Sequence, residues 1–276
     1  MSNKPSREWG DYIPSGGIND VIASWQDKQP EREQNCATPS TLTDCPLTIW
    51  LHKHGVPYTN PLGWGIKQRM MLGRITENTI ARQLKEEGLL LHHWNDDHDG
   101  DAVKFAHGSG LTRIEGVADL LIKLLDRRVA ISDSKTSRSD SFKWVGIKPS
   151  EIWADPFWNK YRIQVNAYFM LCHWNKEWFS KNKLPLPEVC HLFAYALDDG
   201  IVRREITWRP NSTDAAEVMN YIRRWNKAYA SETPPECTCE RDGTVKLCRY
   251  GLKEEGMRIC LTCCGEDLIE KVRSKG

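Results

Sequence analysis

Two apolar segments between residues 116 and 139, in the stretch GVADLLIKLLDRRVAISDSKTSRS, each carry a carboxylate among residues that normally fill a protein core. Asp119 lies in the first segment, and Asp133 in the second is followed two positions later by Lys135. An unpaired carboxylate in a core is strongly destabilising because it loses its hydration. The fold of this chain must therefore place positive charge at this point, and a bound cation would supply it.

The two segments have the length and composition of β-strands joined by a charged turn. Because side chains alternate along a strand, Asp133 and Lys135 are expected on one face, and Asp119 comes beside them if the strands pair as a hairpin. Two adjacent aspartates repel each other unless a divalent cation lies between them. Magnesium fits, because it prefers hard oxygen ligands and keeps several waters.

One retained water, acidified by the ion and oriented by Lys135, would attack a phosphorus atom. The lysine would also stabilise negative charge on the phosphate oxygens. The alternative is a solvated strand edge, which an Asp-x-Lys pattern usually marks.

The composition is that of a folded protein with one large domain, since the 276 residues are 40% hydrophobic and 27% charged. The formal net charge is +1, so a nucleic-acid groove would depend on local basic clusters. No apolar run approaches the roughly 20 residues that span a bilayer, and the first residues lack the apolar core of a signal peptide. We expect a cytoplasmic protein, of a prokaryotic cell or a virus-infected host, with no membrane partner.

The order of helical and strand-like segments predicts an α/β fold with a central mixed β-sheet flanked by helices. A helix is expected through WGIKQRMMLGRITENTIARQLKEEG, with Gly88 as its stop, and a last helix with Ser212 as a possible N-cap. LTRIEGVADLLIKL is expected as one strand, and EVCHLFAYAL and IVRREITW as a hairpin. A short helix in TPSTLTDCPLTIWLHKHG is expected to carry Cys45 just inside its start. We expect residues 1–40 to be mostly irregular, 41–232 to form the core and 233–276 to form a cysteine-rich metal-binding segment.

Four short motifs resemble, in order and spacing, those of the PD-(D/E)XK nuclease superfamily. They are GRITE (Gly73–Glu77), EGVAD (Glu115–Asp119), SDSKT (Ser132–Thr136) and QVNAY (Gln164–Tyr168). The glutamine–tyrosine helix is most similar to that of the RecB-like branch. The resemblance implies a restriction-endonuclease-like core and a deoxyribonuclease that depends on magnesium or manganese. In this chain Ala118 stands where the family usually has proline before the first aspartate.

The resemblance also implies a role for each matched residue. The metal ligands would be Glu77, Asp119, Asp133 and the backbone carbonyl of Ser134. Lys135 would be the catalytic lysine, and Gln164 and Tyr168 would brace the site and touch the DNA backbone. Basic residues that follow the second strand, Arg138, Lys143 and Lys148, would line a phosphate groove, although a solvated loop is nearly as good an account of them.

By resemblance alone, the expected substrate is the end of single-stranded DNA, in viral or prokaryotic recombination, replication or processing. A helicase, a recombinase or an integrase-type protein would be the partner. One alternative is a structure-specific endonuclease that acts on duplex DNA. Another is a non-catalytic nucleic-acid-binding protein with a zinc ribbon.

Six of the ten cysteines lie in the last forty residues, and in a reducing compartment such clustering indicates metal rather than disulfides. Cys45 resembles the lone upstream cysteine of the iron–sulfur subset of the RecB-like branch, which includes the CRISPR-adaptation and AddB-type nucleases. That resemblance implies a [4Fe–4S] cluster that staples the C-terminus onto the N-terminal helix. The favoured ligands are Cys45, Cys239, Cys248 and Cys263, with Cys237, Cys260 and Cys264 as alternates.

Zinc is one alternative for the cysteines, because Cys260 and Cys263 form a C-x-x-C knuckle and the downstream spacing is wider than in the iron–sulfur relatives. Free thiols are the other alternative. The loop NDDHDG begins like a calcium loop, but Ala106 stands where the twelfth-position glutamate is needed. A solvated turn is therefore expected there. His92, His93 and His98 are expected to be surface or packing residues rather than ligands.

Overall fold

A computed structural model describes residues 34–56, 64–94, 103–137, 149–196, 202–238, 251–254 and 257–260. The chain divides into two compact units, Met1–Glu33 and Gln34–Gly276, and every described residue belongs to the second. The NDDHDG loop, which includes His98, lies outside the described residues. The domain boundaries that the sequence suggests at residues 40 and 232 stay predictions.

A five-stranded mixed β-sheet forms the centre of the second unit, in the strand order β1-β4-β5-β6-β7. The strands are β1 (Leu90–His93), β4 (Leu120–Lys123), β5 (Val129–Ser137), β6 (Val189–Ala196) and β7 (Val202–Trp208). Only the central pair, β5 and β6, is parallel, and the other three pairs are antiparallel. The predicted α/β class with a mixed sheet is confirmed, and so is the predicted hairpin, which is β6 and β7.

Two small antiparallel pairs lie outside the main sheet. They are β2 (Phe105–His107) with β3 (Ile114–Gly116), and β8 (Gly251–Glu254) with β9 (Met257–Cys260). The segment predicted as one strand, LTRIEGVADLLIKL, is therefore two strands in two different sheets, and that prediction was wrong. Residues 117–119 carry the chain from one sheet to the other, which places Asp119 directly before β4.

Six α-helices accompany the sheet in the described ranges. They are α1 (Pro46–Lys53), α2 (Trp64–Glu86), α3 (Pro149–Ala154), α4 (Pro156–Trp174), α5 (Lys176–Lys181) and α6 (Ser212–Ala230). The stop of α2 is as predicted, since Gly88 takes a φ of 68°, which glycine adopts without strain. Helices α3 to α5 form the crossover that a parallel pair of strands such as β5 and β6 requires.

Alternation along β4 and β5 divides the core between the two faces of the sheet. Leu120, Ile122 and Ala130 pack with Ala81 of α2 on one face. Leu121 and Ile131 belong to the larger core, which α4 and α6 supply with apolar residues: Ile163, Val165, Leu171, Val218, Ile222 and Trp225. Asp133 and Lys135 continue the row of Ile131, so they lie on the α4 face of β5.

Two helix starts differ from the sequence-based expectation. Asn211, not Ser212, is the N-cap of α6, because its Oδ1 accepts hydrogen bonds from the backbone of Thr213 at 2.8 Å and of Asp214 at 3.0 Å. Cys45 is the N-cap of α1 and lies just outside the helix, since Pro46 takes the first helical position, where its missing N–H costs nothing. Within the described part of the chain, no helix is long and apolar enough to cross a membrane.

Candidate active site

The antiparallel pairing of β4 with β5 brings Asp119 beside Asp133. Leu120 pairs with Ser132, so the residue before Leu120 and the residue after Ser132 are neighbours across the strands. The two carboxyl groups are close enough to interact directly, and the negative charge of Asp133 raises the pKa of Asp119. Like charges this close oppose each other's ionisation, so the pair favours a proton or a cation between the two side chains.

Lys135 supplies the positive charge next to this pair. Its Nζ lies 2.9 Å from Oδ1 and 2.7 Å from Oδ2 of Asp133, and the side chain of Asp133 is only 1% exposed. The contact with Oδ1 has the geometry of a hydrogen bond, whereas Oδ2 accepts none from the described residues. One ammonium therefore straddles the carboxylate, and a buried oxygen keeps unused acceptor capacity.

Electrostatics at this pair favour a second cation. Burial raises the pKa of Asp119 well above its ordinary value, and the charges of Asp133 and then of Glu77 raise it further. Burial would lower the pKa of Lys135, but the two aspartates outweigh that effect and raise it, so the lysine stays charged. Lys135 lowers the pKa of Asp119, but burial and the charges of Asp133 and Glu77 outweigh that effect.

Helix α4 covers the pair with aromatic and amide side chains. Burial raises the pKa of Tyr168, and the charges of Asp119 and Asp133 add to the effect, so its hydroxyl stays neutral. The amide of Gln164, one turn earlier, lies 3.5 Å from that hydroxyl. The ring of Tyr161 lies on the other side of the lysine, with its centroid 5.0 Å from Nζ of Lys135. The motif residues Gln164 and Tyr168 thus lie on the same side of the sheet as the carboxyl pair.

Glu77 approaches from α2 and is near enough to act on Asp119 electrostatically. Its Oε1 lies 3.3 Å from Nε2 of His93, and the two side chains are 14% and 8% exposed. The expectation that His93 is a surface or packing residue rather than a ligand stays a prediction, but the sequence did not reveal that its imidazole contacts a candidate site residue. His92, one position earlier, does pack, edge-on against Trp94 and Trp178.

Glycine allows α2 to approach the strand that carries Asp133 and Lys135. A Cβ on Gly73 would lie 2.8 Å from Oγ1 of Thr136, closer than real Cβ contacts come. Gly73, the first residue of the GRITE motif, therefore leaves room between α2 and β5, and this lets the helix bring Glu77 toward the sheet.

The carboxyl pair fits a divalent cation by its chemistry. A buried carboxylate oxygen that accepts no hydrogen bond from the described residues, and a neighbouring carboxyl group whose pKa is raised, would both gain from a cation with oxygen ligands. Within the described ranges, however, no three His, Cys, Asp or Glu side chains are assembled as a metal-binding group. Glu77 and the Ser134 carbonyl stay predicted ligands.

Cysteines from the two ends of the described core meet at the start of α1. Sγ of Cys45 lies 3.6 Å from Sγ of Cys237, too far for a disulfide bond. The backbone N–H of Thr238 donates to Sγ of Cys45 at 3.4 Å, and the indole of Trp50 donates to the carbonyl of Ser231 at 3.2 Å. Cys237, which the sequence ranked only as an alternate ligand, is thus the partner that contacts Cys45.

Several sequence-predicted site residues lie outside the described ranges and stay predictions. They are Arg138, Lys143, Lys148, Cys239, Cys248, Cys263 and Cys264. Cys260 is the last residue of β9, where its backbone pairs with Gly251, and its side chain is not described.

A second polar chain, which the sequence did not reveal, lies behind the carboxyl pair. Oγ of Ser132 is 2.8 Å from Nδ1 of His191, and Nε2 of His191 is 2.8 Å from Oε1 of Glu205. Ser132 is 1% exposed and His191 3% exposed, so the serine is not accessible to a substrate. The chain links β5, β6 and β7 and fixes the strand next to Asp133.

Comparison with known proteins yields likenesses to solved structures alone. No protein-family model matches the chain, and no curated protein matches it. Among solved structures, "Crystal structure of SSO0001" is similar, with 17% sequence identity and a TM-score of 0.48, over 85% of this chain and 95% of that one. That description names no activity, so the site described above rests on this chain's own residues.

Proposed function

We propose that this protein is a metal-dependent deoxyribonuclease that hydrolyses phosphodiester bonds and acts as an exonuclease on single-stranded DNA ends. The observation that carries the proposal is the ion pair of Lys135 with the buried carboxylate of Asp133, beside a second carboxyl group, Asp119, on which both charges act. A structural ion pair would need one carboxylate for one lysine. A second carboxylate at the same place indicates that the site is built for more positive charge than the described residues supply there.

The proposed roles follow from the chemistry of each group. Magnesium or manganese, when bound by Asp119 and Asp133 with Glu77 and the Ser134 carbonyl as further predicted ligands, would supply a water of lowered pKa and positive charge at the phosphate. Lys135 is a permanent hydrogen-bond donor at this point, because the aspartates hold it protonated. It would orient the attacking water and stabilise charge on the phosphate oxygens.

The α4 side of the site would position the substrate. Tyr168 carries a neutral hydroxyl and Gln164 an amide, and both groups donate hydrogen bonds to phosphate oxygens without adding charge. The basic residues Arg138, Lys143 and Lys148 would add phosphate contacts along the path of the strand. The low net charge of the chain makes such local contacts the main electrostatic attraction for DNA.

We further propose that Cys45 and Cys237 are two ligands of one metal–thiolate centre, with the remaining ligands among the later cysteines. A [4Fe–4S] cluster is the favoured occupant and Zn²⁺ the alternative. The 3.6 Å contact supports a centre that ties the segment after α6 to the start of α1. Cysteines that bind metal as thiolates fit a reducing compartment, which here would be the cytoplasm of a prokaryotic cell or a virus-infected host. A helicase, recombinase or integrase-type partner would deliver the DNA.

The test of this function compares three substrates with the purified protein in Mg²⁺ or Mn²⁺: end-labelled single strands, end-labelled duplex and closed circular duplex. An exonuclease on single-stranded ends releases label from the first and leaves the circle intact. Cleavage of the circle would instead support a structure-specific endonuclease. Binding of DNA without cleavage of any substrate would support a non-catalytic binding protein and contradict the proposal.

A further inference from the structure

His93 lies on β1, the strand that pairs with β4 next to Asp119. On β1 it pairs with Leu120, the residue that follows Asp119. The backbone N–H of Trp94 donates to the carbonyl of Asp119 at 3.1 Å. The backbone of Asp119 and Leu120 is therefore fixed to the end of β1, which sets where the imidazole of His93 emerges.

Among the described residues, the imidazole of His93 contacts one carboxylate, that of Glu77. Nε2 of His93 lies 3.3 Å from Oε1 of Glu77, and the two side chains are 8% and 14% exposed. A carboxylate accepts hydrogen bonds, so Nε2 carries the proton and donates it in this contact. The bond engages one oxygen of Glu77 and restricts the rotation of a side chain that comes from a different element, α2.

We propose that His93 is a positioning residue that holds the Glu77 carboxylate toward Asp119 and thereby raises the affinity of the site for a divalent cation. The proposal rests on the proposed function, because it assigns to Glu77 a part in cation binding. Groups that orient a metal ligand by hydrogen bonding commonly change metal affinity by about 10- to 100-fold when they are removed. His93 would act in this way without touching the DNA.

The experiment titrates the DNA-free protein with Mn²⁺ and follows the loss of the paramagnetic resonance signal of the free ion. The same titration is made with D133N. Mn²⁺ binding that the wild type shows and D133N lacks is assigned to the carboxyl pair, whereas Mn²⁺ held by cysteines or by the surface binds to both proteins. We expect H93L to raise the dissociation constant by about 10-fold or more. H93Q, whose amide can still donate to Glu77, should recover much of the affinity.

H92Q is the matched control, because His92 is the adjacent residue on the same strand and packs against Trp94 and Trp178 instead. It should bind Mn²⁺ as the wild type does. Melting temperatures in the presence of a chelator show whether each variant folds. If H93L does not fold, H93N replaces it, since the shorter amide does not reach Glu77 and the same loss of affinity is expected.

The outcomes separate the two proposals. Wild-type affinity in a folded H93L or H93N protein overturns the role of His93 while the nuclease proposal stands. A wild-type protein that neither binds Mn²⁺ at the D133N-sensitive site nor cleaves DNA overturns the nuclease proposal, and the role of His93 falls with it. Loss of affinity in H93L with recovery in H93Q supports the positioning role, since a purely structural role would move the melting temperature instead.

Discussion

The carboxyl groups of Asp119 and Asp133 lie side by side where β4 pairs with β5, although each belongs to a segment of otherwise apolar residues. Two carboxyl groups this close oppose each other's ionisation, which favours a bound proton or, in its place, a cation. This exchange of a proton for a cation is the physical basis of the proposed nuclease site, and it makes the stability of the protein depend on pH and on metal.

Stability should fall as the pH rises in the absence of metal. In the unfolded chain an aspartate loses its proton at about pH 4, whereas the raised pKa of Asp119 keeps the proton bound to higher pH in the native state. Between these two values the native state binds more protons than the unfolded state, so the free energy of unfolding decreases as pH rises. Urea unfolding in chelator from pH 5 upward measures this slope for the wild type and for D119N.

D119N removes the group that titrates and leaves its shape. We expect the metal-free variant to be more stable than the wild type at neutral pH by about 1–3 kcal/mol, because it no longer buries a carboxyl group without full compensation. Mn²⁺ should stabilise the wild type and not D119N. A variant that is less stable than the wild type across the pH range would show that Asp119 is a stabilising structural carboxylate.

Gly73 should be needed for the distance between α2 and β5. In G73A the new Cβ would meet Oγ1 of Thr136 at 2.8 Å, so the helix or the strand must shift next to Lys135. We expect cleavage to fall by at least about 10-fold in G73A, as small displacements of catalytic groups are costly. The double variant G73A/T136A removes the clashing oxygen and should recover activity, and T136A alone is its control. Equal loss in the single and double variants would contradict the steric account.

The contact between Cys45 and Cys237 predicts a shared ligand role. Protein purified without oxygen should be brown and absorb in the thiolate-to-iron charge-transfer region, and C45A or C237A should lose that absorption. C172A is the matched control, because Cys172 is fully buried in the apolar core and should leave the spectrum unchanged. A colourless protein that contains stoichiometric zinc would support the zinc alternative, and full absorption in C237A would remove Cys237 from the ligand set.

A buried ion pair between α4 and α6 should carry much of the stability of the core. The guanidinium of Arg162 bonds the carboxylates of Asp214 and Glu217, and Asp214 also accepts a hydrogen bond from the amide of Asn166. R162M should lower the free energy of unfolding by about 3–5 kcal/mol, because it leaves a buried carboxylate without its partner. R162M/D214N should lose less than R162M. Urea unfolding of both variants tests this, and equal losses would exclude the pairing as the cause.

The central features were predictable from local patterns. Alternation in RRVAISDSKT placed Asp133 and Lys135 on one face, and the short charged turn before Val129 made a hairpin with the strand of Asp119 the natural pairing. The length and periodicity of α2 were sufficient to place Glu77 on a helix that ends before Gly88.

Features that depend on distant contacts were not predictable in the same way. The apolar pattern of 111–124 cannot show that the chain leaves one sheet after Gly116 and joins another at Leu120. His93 has no local signal that distinguishes it from His92, because its role depends on Glu77, which reaches it from another element. The choice of Cys237 over its neighbours as the contact of Cys45 likewise depends on how the chain returns to α1 after α6.

The most direct measurement of the central claim is the rate of DNA cleavage in Mg²⁺ by the wild type, D133N, K135M and the control variant K123M, whose lysine is exposed on β4. We predict cleavage by the wild type and K123M. D133N and K135M should lose it by about 1,000-fold or more while keeping their fold and DNA binding, since Asp133 would hold the metal and Lys135 would stabilise charge on the reacting phosphate. Wild-type rates in D133N or in K135M would contradict the account.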